Sequence, residues 1–216
     1  MMFKFKVSVH MTRLVCGLVI ALSVITICGA AQAEAFVRVF AIRGLAGVVF
    51  SRGMNTLCDV LSTVAEVECT VEDFYDEATI AAKAAEAVAA GQHLVLVGHS
   101  LGALAALNIA AGLSQNVPLI VAIDANWFPR PRVPDNAEIV LNYYQNIDVL
   151  GRATLRAPPG FRGELQNFLR SEPHVMIDDS PDIHAEIAAR IRNILAAPSL
   201  AHIPIPLARP AVPKAP

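Results

Sequence analysis

One serine in this chain lies in a pattern typical of catalytic nucleophiles. The pattern is Gly98-His99-Ser100-Leu101-Gly102, which follows the apolar run Leu94 to Val97 and opens a stretch rich in alanine and leucine. A serine on a sharp turn between a strand and a helix exposes its hydroxyl, and glycines two positions to either side let the backbone turn tightly. The spacing therefore predicts a nucleophile elbow at Ser100, whose chemistry would be attack on a carbonyl group.

A serine nucleophile needs a histidine that accepts its proton, and in a parallel sheet this histidine must lie just past the carboxyl end of a strand. Among the six histidines of the chain, His174 follows the last predicted strand and precedes the final predicted helix. His184 lies on that helix, where its movement toward the serine is more restricted. We predict that His174 is the base and keep His184 as the alternative, and we expect His99 to pack behind the nucleophile.

Two aspartates could orient the histidine, because each directly follows a predicted strand. Asp124 comes after the strand that ends at Ile123, and Asp148 comes after the strand that contains Tyr143 and Tyr144. Asp148 is closer in sequence to the predicted base and gives the common chain order Ser, Asp, His. We favour Asp148 as the acid, with Asp124 as the alternative acid.

The oxyanion that forms during attack on a carbonyl needs two backbone N–H donors. One is expected from Leu101, at the start of the helix after the serine. The other should come from the loop after the first strand, Arg43-Gly44-Leu45-Ala46-Gly47, where we choose the amide of Leu45. No metal ion or organic cofactor is required for this chemistry.

Strands and helices alternate along the chain, and this alternation predicts a parallel sheet with helices on both faces. The predicted strands are Phe36 to Ile42, Val67 to Val71, His93 to Val97, Pro118 to Ile123, Glu138 to Tyr144 and Gly163 to Leu169, the last an exposed edge strand. The predicted helices are Gly53 to Val64, Glu77 to Ala90, Leu101 to Leu113 and Pro181 to Leu195. The expected fold class is therefore α/β, a three-layer α/β/α sandwich with a mostly parallel sheet of about six strands.

The N-terminal segment has the pattern of a secretory leader. Basic residues precede an apolar stretch from Leu14 to Cys28, and Ala31-Gln32-Ala33 supplies the small-x-small pattern of a cleavage site. We predict a signal peptide over residues 1–33, although an uncleaved membrane anchor is the alternative. The apolar stretch is shorter than the roughly twenty residues that a spanning helix needs, so we expect no stable membrane span after cleavage.

The mature chain is predicted to consist of one domain over residues 34–197 and a proline-dense tail over residues 198–216 that is extended or disordered. Two of the four cysteines, Cys58 and Cys69, remain after removal of the leader. In an oxidising compartment they could form one short-loop disulfide, which we favour over a pair of buried free thiols. We expect secretion or a periplasmic location.

The charge balance argues against a nucleic-acid partner. The leader carries three basic residues and no acidic ones, so the remaining chain has a net charge of about −5. Proteins that bind nucleic acids usually carry a basic surplus instead.

Taken together, these residues resemble the α/β-hydrolase superfamily, in particular its minimal secreted bacterial lipases and esterases without a large cap. Arg43-Gly44-Leu45 stands where such lipases usually have His-Gly and an oxyanion-hole residue. The elbow at Ser100 is similar to theirs, Tyr143 to Asp148 is similar to the strand and loop that deliver their acid, and His174 is similar to their histidine.

Two positions depart from this pattern. Arg43 replaces the usual histidine, and Asp124 also resembles the acid of another lipase branch, in which the carboxylate follows the strand after the elbow. The resemblance implies a serine hydrolase that cleaves a small-molecule or lipid ester, or a thioester, through an acyl-enzyme. A non-catalytic binding protein of the cell envelope with the same fold, or a peptidase or amidase with the same triad, are the alternatives. The oligomeric state is left open.

Overall fold

Six strands pair into one sheet in which every neighbouring pair is parallel. The structure is a computed structural model that describes residues 36–125, 131–145 and 154–197. The strands are β1 (Val37–Arg43), β2 (Val67–Asp73), β3 (His93–His99), β4 (Val117–Ile123), β5 (Ala137–Gln145) and β6 (Glu164–Arg170). The predicted parallel sheet is confirmed, and every predicted strand begins and ends within two residues of the observed one.

The helices of the described residues cover both faces of this sheet. They are α1 (Gly47–Phe50), α2 (Gly53–Leu61), α3 (Glu77–Ala89), α4 (Leu101–Gly112) and α5 (Pro181–Ala196). One apolar core, with Ile80 and Ala106 in it, packs α3 and α4 against the sheet, and a second core, with Leu57 and Ile187, packs α2 and α5 against the opposite face. The three-layer sandwich is therefore confirmed.

The strand order places a crevice between β1 and β3. The order across the sheet is β2-β1-β3-β4-β5-β6, so the chain leaves β1 toward one edge and returns past it to β3. Ligands of open parallel sheets bind at such a reversal, outside the carboxyl ends of the strands. The loops after β1 and β3, which carry Gly44 and Ser100, meet at this point.

Three short elements lie in segments that were predicted as loops. They are the four-residue helix α1 and the 3₁₀ turns Phe74–Asp76 and Ile177–Asp179. Each is only one turn long, too short to produce a helical period in the sequence.

A disulfide joins Cys58 on α2 to Cys69 on β2, as predicted, with the two Cα atoms 5.2 Å apart. Within the ranges described above, none of the helices is long and apolar enough to cross a membrane. The predicted leader and the predicted proline-rich tail lie outside the described residues.

Candidate active site

Ser100 occupies the sharp turn between β3 and α4 that the sequence predicts. Its backbone has φ 57° and ψ −120°, a strained conformation for a residue with a side chain. The flanking glycines are required by close backbone contacts, because a Cβ on Gly98 would lie 2.1 Å from the carbonyl oxygen of Gly102. A Cβ on Gly102 would in turn lie 2.2 Å from the carbonyl oxygen of Ile42. The elbow is therefore packed directly against the end of β1.

His174 is hydrogen-bonded to Asp124 at the same edge of the sheet. The distance from Nδ1 of His174 to Oδ2 of Asp124 is 2.5 Å. A carboxylate can only accept, so Nδ1 carries the hydrogen and Nε2 is left as the ring's acceptor. This is the tautomer that a base needs in order to take a proton from a serine hydroxyl.

Asp124 is held in place by the ends of two strands. It directly follows β4 with φ 44°, and its N–H donates to the carbonyl of Tyr143 at 2.7 Å. Its Oδ1 accepts the backbone N–H of Gln145 at 3.3 Å, and Asp124 is 8% exposed. The turned backbone and these two contacts direct the second carboxylate oxygen toward His174.

The structure thus pairs the predicted base with the alternative acid. Asp148, the acid favoured from the sequence, lies outside the described residues. His184 is 2% exposed, and its Nε2–H donates to the backbone carbonyl of Asp178 at 2.7 Å. His99 is 1% exposed and packs behind the nucleophile as expected.

The segment that carries His174 is anchored by polar side chains that no local sequence pattern predicts. The side-chain amide of Gln145 donates to the backbone carbonyl of Glu172, and Arg170 forms an ion pair with the carboxylate of Glu172. The hydrogen bond from Arg170 lowers the pKa of Glu172 to about 2. Nη1 of Arg170 also bonds to Asp182 at 2.7 Å, so one guanidinium connects β6 to the start of α5.

The loop after β1 reaches Ser100 from the other side. A Cβ on Gly44 would lie 2.7 Å from Cβ of Ser100 and 3.3 Å from its Oγ, so the loop is in direct contact with the nucleophile. Leu45 follows Gly44, and Leu101 is the first residue of α4, where N–H groups have no partner inside the helix. Of the two residues predicted to stabilise an oxyanion, Leu101 therefore follows Ser100 directly in the sequence. Leu45 follows the glycine that contacts Ser100 from the loop after β1.

Ser100 and His174 are not hydrogen-bonded to each other in the part of the chain that the structure describes. In enzymes, the hydrogen bond between nucleophile and base often forms fully only in the complex with substrate. The side chain of His174 is 28% exposed and that of Asp124 10% exposed, so the ring is open to a ligand while the carboxylate is covered.

Exposed apolar side chains lie on the two segments that follow Gly44 and His174 in the sequence. They come from the segment after β1 and from the segment around His174, and they are Leu45, Val48, Val49, Phe50, Val175 and Met176. A cavity of about 640 Å³ lies between the two segments. Four of these side chains line it, Val48, Val49, Val175 and Met176, and the rest of its lining is mostly polar: Arg43, Arg52, Gly53, Asn55, Thr56, Asp59 and Asp179. We refer to the six apolar residues as the apolar rim.

Among the described residues, no group of three or more histidine, cysteine, aspartate or glutamate side chains could hold a metal ion.

Comparison with known proteins gives one family and a set of solved structures. The model of the alpha/beta hydrolase family matches residues 29–216. Among solved structures, Est1E from Butyrivibrio proteoclasticus is similar with a TM-score of 0.51 and 12% sequence identity, over 78% of this chain and 92% of that one. Esterase PE8 is similar with a TM-score of 0.50 and 13% identity, over 75% and 93% of the two chains. A comparison with curated proteins finds no match.

Proposed function

The chain belongs to the alpha/beta hydrolase family, and we propose that it is a secreted serine hydrolase that cleaves carboxylic esters or thioesters. The observation that carries this proposal is the 2.5 Å hydrogen bond between His174 and Asp124, which lies at the edge of the sheet where the half-buried Ser100 occupies its elbow. The proposed nucleophile, acid and base follow β3, β4 and β6, whose carboxyl ends lie at one edge of the parallel sheet.

In the proposed reaction, Oγ of Ser100 attacks the carbonyl carbon of the ester while Nε2 of His174 takes the hydroxyl proton. The imidazolium is stabilised by Asp124, which stays ionised. Collapse of the tetrahedral intermediate breaks the bond to the leaving alcohol or thiol, which receives the proton from Nε2. Water, deprotonated by the same nitrogen, then attacks the acyl-enzyme, releases the carboxylic acid and regenerates Ser100.

The backbone amides of Leu45 and Leu101 are proposed to bind the oxyanion of both tetrahedral intermediates. The amide of Leu101 lies at the positive end of α4, where N–H groups favour negative charge. The contact between Gly44 and Ser100 supports Leu45 as the second donor, since it brings the loop after β1 next to the nucleophile.

The apolar rim supports a substrate with an apolar acyl or alcohol group. Val48, Met176 and Leu45 are each more than 60% exposed, and such exposure next to a crevice is typical of ligand-binding surfaces. One of the solved structures compared above is named as an esterase, which favours an ester over an amide as the first substrate to test.

Export from the cytoplasm is supported by two features of the chain. The leader pattern ends at Ala33, and the disulfide between Cys58 and Cys69 is of a kind that forms and persists in oxidising compartments. N-terminal sequencing of the protein produced by an exporting host should begin at Glu34. A mature protein that retains its first 33 residues would contradict cleavage.

The central test is covalent labelling with a fluorophosphonate probe, combined with hydrolysis of p-nitrophenyl esters of increasing chain length. We expect the wild type to be labelled at Ser100 and Ser100→Ala to lose both labelling and turnover, by on the order of 10⁶-fold in kcat. Ser114→Ala, a change at an exposed serine after α4, is the matched control and should behave like the wild type. A folded wild type that is neither labelled nor active on any ester would refute the proposal and favour a binding protein with this fold.

A further inference from the structure

A chain of hydrogen bonds runs through the interior directly behind Ser100. The N–H of Gly44 donates to Oγ of Ser51 at 3.1 Å, and Oγ of Ser51 lies 2.8 Å from Nδ1 of His99. On the far side of the ring, Nε2 of His99 lies 2.9 Å from the backbone carbonyl oxygen of His174. Ser51 is 0% exposed and His99 is 1% exposed.

The chemistry of the groups allows only one arrangement of hydrogens along this chain. The carbonyl of His174 can only accept, so Nε2 of His99 carries the ring hydrogen and Nδ1 is an acceptor. The hydroxyl of Ser51 must therefore donate to Nδ1, and its oxygen accepts the N–H of Gly44. Every donor along the chain has an acceptor, as buried polar groups require.

The two ends of the chain are the two segments that must be positioned around the nucleophile. Gly44 opens the loop that contacts Ser100 and leads to Leu45, and the carbonyl at the other end belongs to the same residue as the proposed base. His99, which lies between the two ends, is joined to Ser100 by a peptide bond. A shift of either loop relative to the nucleophile would break at least one of these hydrogen bonds.

We propose that Ser51 and His99 are positioning residues that hold the oxyanion loop and the loop of His174 at a fixed separation on either side of Ser100. This role rests on the proposed function, and neither residue is expected to touch the substrate. Their contribution should therefore appear in the rate of the chemical step and much less in substrate binding.

The electrostatics keep this arrangement unchanged during turnover. Burial, and after it the charge of His174 when it is protonated, lower the pKa of His99 to about 4. When His174 takes the proton of Ser100, His99 therefore remains neutral with its hydrogen on Nε2. The bond to the carbonyl of His174 persists in both protonation states of the base.

The test compares Ser51→Ala, His99→Gln, His99→Phe and the double variant S51A/H99Q with the wild type, using p-nitrophenyl butyrate. Active sites are counted by fluorophosphonate titration, so that misfolded protein does not contribute to kcat. The matched control is Ile80→Ala, which removes a buried side chain of the core on the face of α3 and leaves the hydrogen-bond chain intact.

We expect kcat per titrated site to fall about 10- to 100-fold in S51A and in H99F, with KM changed by less than about threefold, since small misplacements of reacting groups cost on this order. H99Q should be more active than H99F, because the glutamine amide can still donate to the carbonyl of His174. S51A/H99Q should be no slower than the slower single variant, because both changes break one connected unit. I80A should keep the wild-type kcat per titrated site despite a lower melting temperature.

Positioning is refuted if S51A and H99F keep the wild-type kcat per titrated site, if only KM rises, or if the effects of the two sites are fully additive. An independent check uses the ¹⁵N shifts of the His99 ring at neutral pH, which should show a protonated Nε2 and an unprotonated Nδ1; the opposite tautomer would also refute it. A wild type that is neither labelled nor active would overturn the proposed function and this role together. An active wild type with unchanged variants would overturn this role alone.

Discussion

Replacing Gly44 with alanine should displace the loop that carries the proposed oxyanion donor Leu45 relative to Ser100. The added Cβ would lie 2.7 Å from Cβ of Ser100 and 2.9 Å from the carbonyl oxygen of His99. Carbon atoms in favourable contact are about 3.5–4.0 Å apart, so the loop must move by roughly 1 Å relative to the nucleophile. The elbow cannot give way instead, because Gly102 is packed against the end of β1.

The size of the effect follows from what the loop is proposed to supply. A misplacement of about 1 Å costs on the order of 10²-fold in rate. Complete loss of one oxyanion donor costs about 10²–10³-fold in kcat. We therefore expect kcat of Gly44→Ala to fall by about 10²–10³-fold, with a smaller effect on KM because the donors act mainly on the transition state.

The assay is kcat on p-nitrophenyl butyrate, together with the rate constant for fluorophosphonate labelling, which also passes through an oxyanion. Gly112→Ala is the matched control, because a Cβ at that position, the end of α4, meets no atom within 4 Å. Overpacking at position 44 should lower stability by about 1–3 kcal/mol, so both variants are assayed well below their melting temperatures. If G44A turned over within threefold of G112A, the loop after β1 would not form the oxyanion site.

Three further outcomes are expected. Asp124→Asn should lower kcat on the order of 10⁴-fold through loss of the correct tautomer, whereas Asp148→Asn should be near wild type; the reverse pattern in the same ester assay would restore the acid favoured from the sequence. Cys58→Ala/Cys69→Ala should lower the free energy of unfolding by about 3 kcal/mol, given the sequence separation of 11 residues, and an unchanged melting temperature would contradict this. Burial raises the pKa of Asp178 to about 6, so ionisation of its carboxyl group lowers the free energy of unfolding. This loss of stability is absent below about pH 4 and complete above about pH 7. In urea unfolding, Asp178→Asn should therefore gain up to about 3 kcal/mol relative to the wild type between about pH 4 and pH 8; a pH-independent difference would count against it.

Sequence periodicity was enough to predict the sheet and the position of the nucleophile. Strands buried on both faces are continuous apolar runs, as in Leu94 to Val97, and their ends can be read from the polar residue or glycine that follows. Because parallel strands end at one edge, the elbow and the residues after β4 and β6 were expected there together. His174 was predicted for this reason.

The sequence could not identify the acid, because the choice depends on the distance of each aspartate from His174. Asp124 and Asp148 both follow strands, so position alone could not separate them. The hydrogen bond to Asp124 depends on the positive φ of that residue and on the path of the segment after β6, which Gln145 holds through Glu172. Contacts between residues this far apart leave no local pattern.

The role of Ser51 could not be predicted for the same reason, because its hydroxyl bonds to His99, which is 48 residues away in the sequence. Nothing in its sequence neighbourhood distinguishes it from a serine in an ordinary loop before a helix. Only its complete burial and its two hydrogen bonds separate it from the exposed serines of the chain.

The segment around His174 combines polar anchors on its inner side with apolar side chains on its outer side. Its carbonyls accept from His99 and, at Glu172, from Gln145, while Asp178 accepts the N–H of Gly53 at 2.9 Å. These bonds fix the segment without burying Val175 or Met176, which are 49% and 61% exposed. Because the segment keeps its position without burying those two side chains, the proposed function assigns them contact with an apolar part of the substrate.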